Sequence, residues 1–250
     1  MQKNIEKLIN ILKALIVPAL FLILWEVAAN NGWIKVSIMS SPSRICTRMI
    51  QYIQIGRLQK NILISVKRVL LGYMIGSFCG ILLGTVIGIF KGASRYLEFF
   101  TGILRPIPII AWVPVLILWV GIGEITKIIV IAIGTFWPVF LNVMDGLRNV
   151  DPKYIEVATM FNKRKWPTII HVIIPAAMPS VMTGLRIASG NALTGVVGAE
   201  MFAASSGIGY MVSFGREMNQ ADVMLGGVFI IGILGWALNQ IVTGLGNKHG

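Results

Sequence analysis

Three ionisable residues of this 250-residue chain stand inside or at the edge of long apolar runs: Glu26, Arg105 and Glu200. A charge at hydrocarbon depth is expensive, so each is a functional candidate by default. Arg105 is suited either to attracting an anionic solute or to snorkelling toward lipid headgroups. Glu200 reads as a residue that holds helices together or lines a path between them. Glu26, near a helix end, reads as one that reaches the headgroups. Two acids in such a setting could also carry protons, which keeps an ion-coupled secondary transporter open as the alternative function. Catalytic chemistry has little to work with. The phosphate-loop pattern Gly-x-x-x-x-Gly-Lys-Ser/Thr does not occur, so ATP is not expected to bind here by that device. His171 and His249 are the only histidines, Cys46 and Cys79 stand apart, and no metal-ligand cluster or Ser-His-carboxylate set is visible. The expectation is a chain without catalytic residues, without a metal and without a cofactor of its own; a membrane enzyme is the weaker reading for the same reason.

The setting itself follows from composition. Hydrophobic residues make up 56% and charged ones 13%, the latter about half the roughly 25% of soluble domains. Soluble, disordered, collagen-like and disulfide-scaffold chains are excluded, which leaves a polytopic membrane protein. The net charge is +12, from 22 Lys+Arg against 10 Asp+Glu. Because most cations flank apolar runs, lipid headgroups account for them and nucleic acid need not be invoked.

A crossing needs about 20 apolar residues. Six runs qualify or come close: Ala14–Ala29, Val69–Phe90, Pro106–Gly123, Ile128–Met144, Ile187–Ala203 and Val223–Thr243. The first resembles a signal peptide in layout, but Pro18, Glu26 and the lack of a small-x-small cleavage site favour a retained helix. Between the first two lies a polar stretch, residues 30–68, with seven cations and no acid. Its Ser40-Ser41-Pro42-Ser43 is a turn or helix-start signal. With the N-terminus inside, twelve cations fall inward and nine outward; the bias is small, and the seven-cation stretch works against it.

Within the second run Gly72, Gly76, Gly80, Gly84 and Gly88 recur at every fourth residue. Each step turns the helix by about 400°, so the row winds slowly round it and offers a face on which another backbone can approach closely. Pro106, Pro108, Pro114 and Pro138 interrupt the third and fourth runs. The carbonyls they leave without donors need protein or a water-lined cavity nearby, as in interrupted helices at transport pathways.

Residues 145–184 are the most informative segment. Asp151-Pro152 starts a helix, with the Asp side chain available to orphan amides and Pro at the first helical position. Tyr154, Val157, Ala158 and Phe161 then fall on one apolar stripe. Asn162 suits a left-handed helix end. The cations Lys163, Arg164 and Lys165 follow, then a short apolar stretch, Ile169–Ile174, expected to stop at Pro175. A short amphipathic helix projecting from a bundle is suited to a partner's groove.

Here the sequence resembles the permeases of ABC-transporter importers, which carry Glu-Ala-Ala, three residues, Gly, nine residues, then Ile-x-Leu-Pro in a cytoplasmic loop. The matching residues are Glu156-Val157-Ala158, Asn162 and Val172-Ile173-Ile174-Pro175. Asn162 for Gly keeps the left-handed option but adds a side chain. Ser41-Pro42-Ser43, Leu104-Arg105-Pro106-Ile107-Pro108, Trp119-Val120-Gly121-Ile122-Gly123-Glu124, Val150-Asp151-Pro152-Lys153, Ala199-Glu200-Met201 and Ser205 to Tyr210 are similar to the nitrate/sulfonate/taurine branch. The resemblance implies an all-α, six-helix subunit of the type I importer fold in the bacterial inner (plasma) membrane, with both termini cytoplasmic. Residues 1–61 would form a cytoplasmic tail, first helix and extracytoplasmic loop; 62–246 would form the transmembrane type-1 domain. It also implies two ATP-binding subunits carrying ATP and Mg, an extracytoplasmic solute-binding protein and a second permease copy, with the solute a small anion. Asp151, Glu156, Val157, Ala158, Phe161, Asn162 and Pro175 would dock on the ATPase, while Arg105, Pro106, Pro108 and Glu200 are candidates for the translocation path.

Overall fold

A computed structural model of the chain describes residues 2–35, 37–89, 101–160 and 165–246. Every regular element among them is helical. The chain forms two compact units, Met1–Asn61 with Met211–Ile230 and Ile62–Tyr210 with Ile231–Gly250.

In the first unit, α1 (Gln2–Asn30) is followed by α2 (Pro42–Gln54). Ser41 takes the extended N-cap conformation and Pro42 the first helical position, as the sequence signal requires. The expected headgroup role of Glu26 is replaced by a different one. Its carboxylate accepts the Ser43 amide at 3.0 Å, the Ser43 hydroxyl at 2.7 Å and the Asn30 amide at 2.8 Å. It therefore supplies the acceptor that the first turn of α2 lacks from its own cap. Trp25, Ala29 and Ile45 form the local core with Leu225 and Met49. Arg48 holds Asp222 at 2.8 Å. Gly56, at φ +71°, turns the chain from α2 into α3 (Arg57–Ile89). The stretch 30–68 is thus mostly helix, not the loop its polarity suggested. In α2 apolar positions such as Ile45 and Tyr52 are buried while Arg44 and Arg48 lie on other faces, an amphipathic pattern that average polarity conceals.

The second unit is organised around α5 (Glu124–Arg148), which carries Glu124 in its first turn and Arg148 in its last, each complementing the helix dipole. The glycine row of α3 lies against it. A Cβ on Gly72 would meet Ile131, on Gly76 Thr135, on Gly80 Val139, on Gly84 Val143 and on Gly88 Leu147. Both partners advance four residues at a time in the same direction, so α3 and α5 run parallel, side by side. Parallel neighbours also carry a topological consequence: the chain between them must return across the bilayer.

The return is made by a broken segment. A helical turn at 101–104 is interrupted at Arg105–Pro108; a 3-10 turn (Ile109–Ala111) and α4 (Trp112–Val120) follow, ending at Gly121 with φ +88°. Pro106 and Pro108 account for the break, since neither can donate a helical bond and each disfavours the helical conformation before it. Among the described residues, four helices are long and apolar enough to cross: 57–89, 124–148, 166–203 and 221–244. Ile16–Asn30 and Ile109–Val120 are the shorter apolar helices at the first and third positions.

After α5 come α6 (Pro152–Met160), the short α7 (Lys165–Thr168), a π turn (Ile169–Ile173), α8 (Ile174–Ala203), α9 (Ile208–Glu217) and α10 (Ala221–Gly246). Pro175 does not stop the helix, contrary to expectation; α8 runs through both it and Pro179. The wider π turn just before Pro175 makes room for a proline ring that would clash with the carbonyl four residues back. Helix α8 packs antiparallel on α5. A Cβ on Gly146 would meet Ser180, on Gly184 Asn142, and on Gly195 Ile131.

Candidate functional site

The proline of α5 sets up the first polar feature. Pro138 has no amide hydrogen, so the Gly134 carbonyl loses its helical donor. Asn191 of α8 supplies one, its Nδ2 donating to Gly134 O at 3.2 Å. One turn on, Asn142 Nδ2 donates to Pro138 O at 2.8 Å. Both amides line a cavity of about 320 Å³ together with Trp137, Asp145 and Arg105. Arg105 is exposed and lies in the break of the third segment, between the helical turn at 101–104 and Pro106. Pro108 caps the following 3-10 turn, whose Ile109 and Ile110 sit against Gly134 of α5 and Gly198 of α8. The prolines thus place the cation, and the glycines let its segment seat closely. A cation, two amides and an aromatic wall around an open polar cavity can hold a small anion, with Asp145 moderating the charge.

Glu200 is not in that cavity. It lies at the other end of α8, fully buried (side chain 0% exposed), paired with Arg68 (3%) at 2.8 Å. Arg68 Nε and Nη2 donate to the two oxygens of Glu124 at 2.7 and 2.6 Å, and Nη1 also donates to Ser206 O at 2.7 Å. Lys127 adds a second cation to Glu124 at 2.9 Å. Glu200 further accepts the Ser65 hydroxyl at 2.7 Å and the Gly209 amide at 2.8 Å, while Ser65 Oγ accepts the Ile208 amide. Gly207 is at φ +116°, and a Cβ there would fall on the Glu200 carboxylate. The loop after α8 is therefore wrapped on a carboxylate placed at the N-terminus of α9. This network joins α3, α5, α8 and α9. A buried pair held by several donors in this way specifies an arrangement of helices.

The third feature lies at the far end of α5. Asp151 begins α6 as expected, its carboxylate accepting the Lys153 amide at 2.9 Å. Of the apolar stripe, Ala158 is buried whereas Tyr154 and Val157 are more than half exposed, as are Met160, Trp166 and Ile170. Glu156 is exposed beside them. Phe161 and Asn162, with Lys163 and Arg164, lie outside the described residues. Short, charged at its edge and apolar where it is uncovered, α6 presents a face that its own chain leaves open.

Several residues of these sites were not singled out from sequence: Ser65, Arg68 and Lys127 in the network, Asn142 and Asn191 beside the cavity. The two asparagines had a legible signal, being amides within apolar runs. Arg68 had none, since it reads as an ordinary flanking cation.

Comparison with known proteins agrees with this architecture. The family described as "Binding-protein-dependent transport system inner membrane component" matches residues 76–247. The chain is 34% identical over 237 residues to the putative aliphatic sulfonates transport permease protein SsuC of Bacillus subtilis, covering 95% of this chain and 86% of that one. It is 33% identical over 190 residues to the nitrate import permease protein NrtB of Synechococcus elongatus, covering 74% and 68%. A chain of the MetNI methionine ABC transporter, solved in an inward-facing conformation, superposes with a TM-score of 0.61 at 18% identity, over 80% of this chain and 98% of its own.

Proposed function

The chain belongs to the family of binding-protein-dependent transport system inner membrane components, and from that premise we propose that it conducts a small anion through the cavity beside Arg105. The observation that carries this reading is the convergence of Arg105, Asn142 and Asn191 on a cavity where proline breaks one segment and leaves a carbonyl of α5 without its helical donor. The relatives named for aliphatic sulfonates and nitrate support an anionic solute; Pro106 and Pro108 position its contact.

The chain holds no ATP. Two ATP-binding subunits, with ATP and Mg, take Asp151 and the exposed face of α6 together with Phe161 and Asn162, while Pro175 roots the following helix. Closure of the ATPase pair then tilts α5 and α8 together, because their close glycine contacts leave no slack. A second copy of the chain completes the path, and an extracytoplasmic solute-binding protein delivers to it. Both termini lie in the cytoplasm, which sets α6 inside and the Arg68–Glu124–Glu200 network outside. Residues 62–246 form the transmembrane type-1 domain, and 1–61 the preceding tail, first helix and outer segment.

The test is uptake of a radiolabelled alkanesulfonate, taurine or nitrate into proteoliposomes holding permease, ATPase and binding protein. Arg105→Ala should lower uptake about tenfold or more while ATP hydrolysis continues, and Arg105→Lys should recover part of it. Unchanged uptake in Arg105→Ala would remove Arg105 from the path. Uptake that proceeds without the ATPase and stops when the proton gradient is collapsed would establish the ion-coupled alternative instead.

A further inference from the structure

Helices α3, α8 and α10 enclose a groove of about 250 Å³ that neither solute passage nor ATPase docking uses. Its floor is Val69, Val196 and Ile208, all buried, and its rim is Leu70 and Ile241, 46% and 62% exposed. One end stops at Ser65 and Glu200. Both are bonded within the protein, Ser65 to Glu200 and the Ile208 amide, Glu200 also to Arg68 and the Gly209 amide. The remaining walls are aliphatic, so water finds few partners there. Left empty, a groove of this size forfeits contacts for every side chain that lines it.

Its position points to the occupant. The uncharged run of α3 opens at Val69, so the groove begins where the hydrocarbon core begins and extends into it. From Ile231 to Ile241 it follows α10 for about 15 Å. That is half of a hydrocarbon core of about 30 Å, the reach of one acyl chain in one leaflet. Lys67 adds a charge at the matching height. It is exposed and makes no ion pair among the described residues. It precedes Leu70 by three positions, which sets it on the same face of α3, one turn to the headgroup side of the rim. A cation just outside an apolar slot complements a lipid phosphate carried above its own chain.

We propose that this groove is a phospholipid site: one acyl chain fills the space between α3, α8 and α10, and the phosphate rests on Lys67. The chain lies against Val69 and Val196, next to the Glu200 pair. Because it binds only where the three helices are packed, it stabilises that packing by mass action.

The probe is dipalmitoyl phosphatidylglycerol, titrated into the purified full-length permease in detergent, with dipalmitoylglycerol as the control that lacks the phosphate. Native mass spectrometry counts the bound lipid, and the melting temperature is read alongside. The wild type should bind the phospholipid and melt higher with it, and should bind the control at least about fivefold more weakly. Ala237→Phe puts a ring into the groove; it should hold one phospholipid fewer and lose the melting shift. Lys67→Ala should weaken phosphatidylglycerol about fivefold, and Lys67→Arg should restore it. Should Ala237→Phe fail to fold, the Lys67 pair and the control lipid decide alone. Equal binding by wild type and Lys67→Ala would overturn the site, as would equal affinity for the two lipids or an undiminished lipid count in folded Ala237→Phe. Loss of a dimer in place of lipid in Ala237→Phe would assign the groove to a second copy of the chain, and overturn it too.

Discussion

Replacing Arg68 by methionine should destabilise the protein more than any exposed substitution, and the size of the effect can be worked from the network. Arg68 makes two bonds to Glu124, one to Glu200 and one to Ser206 O. Without it Glu200 keeps the Ser65 hydroxyl and the Gly209 amide but loses its ion-pair partner in a buried site. Breaking a buried pair from one side costs about 3–5 kcal/mol. At about 2–4 °C per kcal/mol for a chain of this length, the melting temperature should fall by roughly 6–20 °C. Glu124 is 59% exposed, so Glu124→Gln should cost about 1 kcal/mol or less. Arg68→Met combined with Glu200→Met removes both charges and should regain most of the stability lost by the single change, because the desolvation cost disappears with the pair. Thermal unfolding followed by fluorescence-detected size exclusion in one detergent reads all three. A single Arg68→Met variant melting within about 2 °C of wild type would refute the argument, and so would a double variant less stable than the single one.

Gly80→Leu should abolish assembly, because even a Cβ at Gly80 would stand 3.0 Å from Phe136 O and from Val139 Cβ, whereas Gly232→Leu, with nothing within 4 Å, should reach normal membrane levels; equal membrane levels would count against a packing role for the row. Asn191→Leu leaves the Gly134 carbonyl without a donor and should cost about 1–3 kcal/mol. Pro138→Ala restores the helical amide, so the double variant should lose less than the single one, and strict additivity in thermal unfolding would dismiss this account. Glu156→Lys reverses an exposed charge on α6 and should uncouple ATP hydrolysis from uptake in proteoliposomes; unaltered uptake would reduce Glu156 to a solvated surface charge.

Much of the bundle was legible because the bilayer removes alternatives. Uncharged stretches of the required length had to cross, and the fourth-residue glycines had to meet a backbone. The start of α6 at Asp151-Pro152 was legible for a local reason, a side chain bonding an amide two residues on. Boundaries were less legible. The polar stretch 30–68 became α2 and the start of α3 because its apolar residues fall on one side, a pattern averaged away by composition. Pro175 read as a stop since a proline within a helix normally is one; a π turn tolerates it, and only packing of the apolar stretch before it makes that turn worth forming.

The amino-acid sequence by itself determined that this chain lives in a membrane, where its crossings fall, and that it carries no phosphate loop, because hydropathy, glycine spacing and motif patterns are local or periodic properties of the chain. Only the tertiary structure decided which charges belong together. Arg68, Glu124 and Glu200 are spread over more than half the sequence, and Asn191 answers a carbonyl freed by Pro138 on a different helix. A buried charge or an orphaned carbonyl is satisfied by whatever the packed helices bring within about 3 Å. That distance has no counterpart in residue spacing.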